Sequence, residues 1–454
     1  MPEVIDQPEA VSLAPTSWAR GLRILLRAAV LDAAGAPAPV RVGAVLLAGA
    51  GRAFRAVGRQ ARGVSRLTQA HRISMRLQAT GEPTRTQRAV EALLRLEVGT
   101  GVFPRLALAP DGRFDAELEW RAIVLKAPRH DAQGAVLERG VLLVSFTHIF
   151  GVLPRLMDLA RLAGDYTLVL EPSWSGYAIA EVLQFAELVP HPVFIQATEQ
   201  RDFRFLQRID ARLVPLPFGA SDWVDDRVFR PAAAAERRFD AGYIGFWGAV
   251  KRHHALFRAL RQMGDPSFRV ALIGGAWEGT AEEVAGLARW YGVLQQLAFF
   301  QGLRPDEVSR VIGACKVSIL LSRKEGSNRG LFESMLSGTP VLLLQENIGV
   351  RKEYVNDRTG RIVPETALAD ALAWFRHHWS EFAPREWALE HIAPVATTAR
   401  LNAALRARAR DAGEPWTADC VAKTNRPEVT YYHPGDAQVL PSIASLLERY
   451  RHRP

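Results

Sequence analysis

The chain has 454 residues, 48% hydrophobic and 23% charged, with a formal net charge of +9. That balance excludes a disordered chain and gives length for two or three domains. Two cysteines, Cys315 and Cys420, exclude a disulfide framework or a CxxC metal site and point to a reducing compartment. No apolar run reaches the roughly 20 residues of a membrane-spanning helix, and the acidic opening Met1–Asp6 does not resemble a secretory signal. A cytoplasmic location is therefore expected. The positive balance suits an anionic partner, a phosphorylated substrate or a membrane surface. No nucleic-acid-binding pattern accompanies it, so nucleic acid is not an expected partner.

Residues 1–115 read as a basic, partly helical N-terminal extension. The spacing predicts a helix over Trp18–Leu31, with Leu22, Leu25, Leu26, Ala29 and Val30 apart from Arg20, Arg23 and Arg27. Further on, Arg52, Arg55, Arg59, Arg62 and Arg66 align along one helical face, flanked by Phe54, Val57, Ala61 and Val64. The first reading of that face is a solvated side of a packed helix. The second is an amphipathic helix on the inner face of an anionic membrane.

From residue 116 to 231 short apolar runs alternate with helical stretches. Strands are expected at Ala122–Lys126, Val141–Phe146, Tyr166–Leu170, Pro192–Ala197 and Arg212–Pro217. A linker is expected over Pro217–Pro231, and a second series fills residues 232–383. Its strands are Ala241–Phe246, Arg269–Ile273, Leu297–Phe300, Val317–Leu321, Pro340–Leu344 and Gly360–Val363. Two such βα series imply two parallel sheets covered by helices, with a cleft between them as the usual ligand site. Residues 384–454 read as a largely helical tail packing back on the domains.

The chemistry concentrates in Ser322–Pro340. A strand runs into a turn with Gly326, Ser327, Asn328 and Gly330, then a helix carrying Glu333. A helix N-terminus with unpaired N–H groups and a positive dipole end is a phosphate cradle. Glu325 and Glu333 flank it, and carboxylates accept strongly from sugar hydroxyls. Glu325 suits a sugar and Glu333 a ribose.

At this point the sequence resembles the retaining glycosyltransferases of group 1 (family 4), whose segment reads EG-x6-E-A-M-x-x-G-x-P-V. Glu325-Gly326, Glu333-Ser334-Met335, Gly338 and Pro340-Val341 match it, with serine for the family's alanine. Gly349, Glu353, Val355, Thr359-Gly360 and Ile362-Val363 resemble the family's downstream segment, and Gly302-Leu303 with Ile312–Ser322 its upstream one. The resemblance spans about residues 240–375 and implies the GT-B fold, two Rossmann-like domains facing each other across a cleft. It implies a nucleotide-diphosphate sugar as substrate, no cofactor and a glycan or glycolipid acceptor. Glu325 and Lys251 would be catalytic. Glu333, Gly326, Ser327, Asn328, Gly330 and Leu331 would bind the donor.

The family's G-R-L-x-x-x-K pattern falls on Gly245–Lys251, with Phe246 at the arginine position. Arg252, Arg323 or Arg329 could supply the missing charge, and one sequence does not choose among them. On the acceptor side, His148 and Glu171 lie at strand ends, where a structural role is as plausible. Trp174 and Trp247 could stack on sugars, though packed tryptophans are commoner. No Asp-x-Asp metal motif stands at a strand end, so protein cations are expected in place of a divalent ion. The resemblance implies retention by front-face attack. A nucleotide-sugar epimerase, a phosphorylase or a binding module that has lost turnover are the other readings.

Overall fold

The computed structural model describes residues 10, 19–77, 82–107, 115–231, 237–426 and 428–452. The expected first helix is α1 (Ala19–Ala34); Trp18 and the opening residues lie outside the described residues. Its buried positions Gly21, Ile24 and Ala28 follow helical spacing. The arginine-bearing segment is divided between α2 (Pro37–Ala56) and α3 (Gln60–Ser74). Gly58, at φ +75°, sits in the left-handed region between them. The five arginines therefore do not share one helix face. Arg55 pairs with Glu97 at 2.6 Å, while Arg52, Arg59, Arg62 and Arg66 are exposed.

The first sheet has the order β1 (Ala122–Lys126), β4 (Gly140–Ser145), β5 (Tyr166–Glu171), β6 (Val193–Gln196) and β7 (Leu213–Leu216). Its last four strands are parallel and β1 is antiparallel to β4. A parallel neighbour needs a long crossover, but a small hairpin, β2 (Arg129–His130) and β3 (Val136–Glu138), joins β1 to β4. Helix α4 (Thr147–Leu156) follows β4 and ends before Asp158, which caps the next helix by accepting from Ala160 and Arg161 N–H. Residues 153–162 thus run from one helix into the next.

The second sheet is all parallel, in the order β10 (Leu297–Gln301), β9 (Val270–Gly274), β8 (Ala241–Ile244), β11 (Ser318–Leu320), β12 (Val341–Leu344) and β13 (Gly360–Val363). Strands such as Val341-Leu342-Leu343-Leu344 are apolar throughout because helices cover both faces. Those that matter for the site are α5 (His253–Met263), α6 (Ala281–Tyr291) and α7 (Arg329–Leu336). The expected linker is packed: Phe218, Trp223, Asp222 and Asp225 are buried.

The chain closes with α8 (Pro394–Asp411), a hairpin of β14 (Lys423–Arg426) and β15 (Glu428–Tyr431), and α9 (Ile443–Tyr450). Two compact units result. Helix α1 clusters with Val224–Ala393, and Gly35–Trp223 clusters with the chain from Pro394 onward. In the first, Ile24 joins the core around Leu287, Leu272 and Leu320. In the second, α9 contributes Ile443, Leu446 and Tyr450 to the core over β4 and β5. The stretch read as one N-terminal extension is therefore shared between the units, as is the tail from residue 384. Each unit is thus an α/β unit built on a largely or wholly parallel sheet, as expected from the alternation of strands and helices.

Candidate active site

The site is built where β8 and β11 end. Beyond β11 the chain turns through Ser322–Asn328 into α7, whose N-cap is Asn328; its side chain accepts from Leu331 N–H at 3.0 Å. Ser334, where the family has alanine, lies 2.7 Å from Ser318 Oγ and 2.5 Å from the Gly330 carbonyl, which pins α7 to β11. A Cβ on Gly330 would stand 3.1 Å from Ile244 Cβ. The helix tip therefore closes on the end of β8.

From that end runs Gly245–Lys251. One 3-10 turn, Ala249–Lys251, is followed by Arg252 in the left-handed region at φ +55°. Lys251 turns its ammonium onto Glu325: Nζ donates to Oε1 at 2.6 Å, with both side chains buried. Ser322 Oγ donates to the same oxygen at 2.5 Å. Tyr243 OH donates to the Lys251 carbonyl, and Phe246 lies with its ring centre 5.1 Å from Nζ, a cation–π contact. Two residues 74 apart, both expected from sequence, thus meet beside the tip of α7. Glu325 itself is held from behind: its N–H donates to Ile348 O at 2.7 Å. Gly349, at φ +110°, allows the two backbones to touch.

Glu333 lies inside α7, and Arg329 NH2 stands 3.1 Å from its Oε1. Burial raises its pKa above the ordinary carboxylate value, and Arg329 only partly opposes this. Gly326 and Ser327 are half-buried in the turn.

Arg252 is engaged elsewhere. Its guanidinium grips Asp32 of α1 at 2.9 and 2.8 Å, Glu365 at 2.9 Å and the Leu321 carbonyl at 3.2 Å, fully buried. With its donors so occupied it anchors the Lys251 turn from behind, and it leaves no free fork for a diphosphate. Arg323 touches the same two carboxylates more loosely, at 3.5–3.6 Å, and is one-third exposed. Burial would raise Asp32, but hydrogen bonds from His254 and Arg252 hold it well below the ordinary range. Sequence reasoning missed Asp32, Glu365 and Ser322. Only Asp32 carried a local sign, as a lone acid in a basic stretch.

In the other unit, His148 opens α4 just beyond β4. Its Nε2 lies 2.5 Å from Glu117 Oε1, with both side chains about one-third exposed. Phe146 before it is strained at φ +71° and packs under Arg121. Glu171, at the end of β5, is closed off: Lys423 Nζ donates to it at 2.7 Å and Asn425 Nδ2 at 3.0 Å, all buried. It is a structural ion pair, a role fixed by a partner 252 residues away. Trp247 is core, packed on His253 and Phe299, whereas Trp174 is exposed. Gly274 is a packing glycine, since a Cβ there would lie 2.4 Å from the Gly245 carbonyl.

Residues 225–382 match the family described as glycosyl transferases group 1. No curated protein matches the chain. Similar solved structures include a sucrose-phosphate synthase from Thermosynechococcus elongatus, at TM-score 0.46 and 19% identity over 60% of this chain and 74% of that one. HepE of Anabaena, in complex with UDP and glucose, aligns at TM-score 0.43 and 18% identity over 54% and 72%. TarM of S. aureus aligns at 0.43 and 13% over 62% and 62%. The matched segment takes in the whole second sheet with its Lys251–Glu325 contact, and over that segment the chain is similar to the glycosyl transferases group 1 family.

Proposed function

We propose that the chain moves a sugar from a nucleotide-diphosphate donor to a hydroxyl acceptor in glycan or glycolipid synthesis. Configuration is retained, and protein cations rather than a metal ion meet the leaving group. The observation that carries this reading is the buried Lys251–Glu325 pair beside the capped tip of α7. As the bond from the anomeric carbon to phosphate breaks, charge gathers on the diphosphate. An ammonium already fixed in a water-poor site, together with a helix N-terminus, stabilises that charge without reorganisation. Glu325 accepts from a hydroxyl of the donor sugar, and ionised Glu333 from the ribose hydroxyls. Front-face attack needs no carboxylate nucleophile, unlike the paired carboxylates of retaining hydrolases. His148, held by Glu117, is the polar group offered to the acceptor.

Phe246 favours a second reading, a binder without turnover, because it removes a cation that the family places on the diphosphate. Incubation with a panel of nucleotide sugars and a hydroxyl acceptor, followed by NMR, separates the readings. Sugar transfer gives free nucleoside diphosphate and a glycoside of the donor's anomeric configuration. An isomerised donor would identify an epimerase, and binding without product a binder. An inverted product would remove the retaining mechanism.

A further inference from the structure

Helix α1 has two faces. One is spent on its own unit: Gly21 lies so close to α6 that a Cβ would stand 2.3 Å from Leu287 N, and Ile24 and Ala28 are buried beside it. The other carries Leu22, Leu26 and Val30, spaced four residues apart and 44%, 58% and 67% exposed. Leu26, Val30, Leu31 and Val250 wall an open groove of about 640 Å³. The Ala249–Val250 side of that groove is the turn that carries Lys251. Trp277, next to the groove residue Glu278, is 80% exposed. Water gains nothing from a leucine and valine stripe kept in the open, and apolar patches of this kind mark interaction surfaces.

Charge says what covers it. Between Ala10 and Leu77 the sequence has eleven arginines and one acid, a local balance of +10 (11 − 1), which exceeds the +9 of the whole chain. That single acid, Asp32, is neutralised by Arg252. Arg20, Arg23 and Arg27 border the stripe on α1 and are exposed, although Arg23 also reaches Glu283 at 2.6 Å and Arg27 donates to the Glu278 carbonyl at 3.4 Å. The next helix, α2, repeats the pattern, with Val42, Val45 and Leu46 exposed between Arg41 and Arg52. Aliphatic stripes edged by arginine, with an exposed tryptophan, match an anionic lipid surface, where alkyl groups enter the acyl boundary and guanidinium groups stay among phosphates.

We propose that α1 is a membrane-docking element: the Leu22–Leu26–Val30 stripe and Trp277 enter the interface of an anionic bilayer, and the arginines of α1 bind its phosphates. The surface differs from the Arg52–Arg66 face, which the break at Gly58 divides. It does not depend on the sugar-transfer reading, although it would bring the Lys251 turn to lipid-borne acceptors.

The test is flotation of the full chain with two kinds of vesicle, phosphatidylcholine alone and phosphatidylcholine with phosphatidylglycerol. The wild type should float with the anionic vesicles and largely stay behind with the neutral ones, and the anionic binding should weaken with salt. The double variant Leu26→Gln, Val30→Gln removes only exposed side chains. It should keep its melting temperature while losing binding by about tenfold or more. Arg23→Gln with Arg27→Gln should lose binding chiefly at low salt. A wild type that ignores anionic vesicles overturns the proposal, as does a folded Leu26→Gln, Val30→Gln variant that floats unchanged. A lipid-free dimer dispersed by the same double variant would instead assign the stripe to a second copy of the chain, and would also overturn it.

Discussion

In its proposed role Glu333 is ionised and accepts from ribose hydroxyls, in a position where burial favours the neutral acid. Two consequences of opposite sign follow. Because its pKa in the folded chain is raised, the ionised group costs stability at neutral pH, and that cost fades as pH falls through the raised value. Glu333→Gln should therefore raise the melting temperature of the ligand-free protein at pH 7 while weakening donor binding in calorimetry. In the wild type, donor affinity should already fall at mildly acidic pH, and the variant should lose this dependence. Asp32 is the reverse case. Its depressed pKa contributes stability that is present at neutral pH and lost only under strongly acidic conditions. Asp32→Asn leaves Arg252 half-compensated and should cost on the order of 2 kcal/mol in denaturant unfolding at pH 7. The loosened Lys251 turn should also lower kcat. Neither residue's environment could be read locally, since Asp32 and Arg252 lie 220 positions apart.

Among the elements, the strands were the most legible. The runs at Val341–Leu344 and at residues 122–125 are apolar throughout because both sheet faces are covered, and the strand bounds fall within one or two residues of expectation. The Glu325–Glu333 segment placed α7, because a strand, a turn with Asn and Gly, and a helix are local events; the Asn328 cap came only with the structure. Breaks were harder. Gly58 and the Asp158 cap divide what periodicity alone joins, and the short hairpin that forces β1 antiparallel has only three-residue and two-residue strands. Periodicity also showed that α1 has an apolar side, but not that Gly21 meets Leu287, so its place in the second sheet's unit was invisible. The turn holding Glu325 makes a further prediction. At Gly349 a Cβ would stand 2.1 Å from the Glu325 carbonyl oxygen, on a backbone at φ +110°. Gly349→Ala should destabilise by roughly 1–3 kcal/mol and reduce donor turnover more than a surface substitution of equal stability cost. Urea unfolding with parallel activity assays would check this.

At the scale of the whole molecule, each unit repeats one economy: a parallel sheet presents strand ends, and loops from those ends hold the polar groups of the proposed site. In one unit these are Lys251, Glu325 and the tip of α7; in the other, His148 with Glu117. The sequence was readable where chemistry lies within a few residues of a strand end. It was silent where a tertiary partner takes up a candidate, as Lys423 does Glu171 and Asp32 does Arg252. The account rests on Lys251 being the cation that meets the departing diphosphate. The most direct test is the rate of nucleoside diphosphate release at saturating donor, wild type against Lys251→Ala. A fall in kcat of about 100-fold or more, with the fold intact, is the predicted result. Equal rates in the two proteins would contradict it.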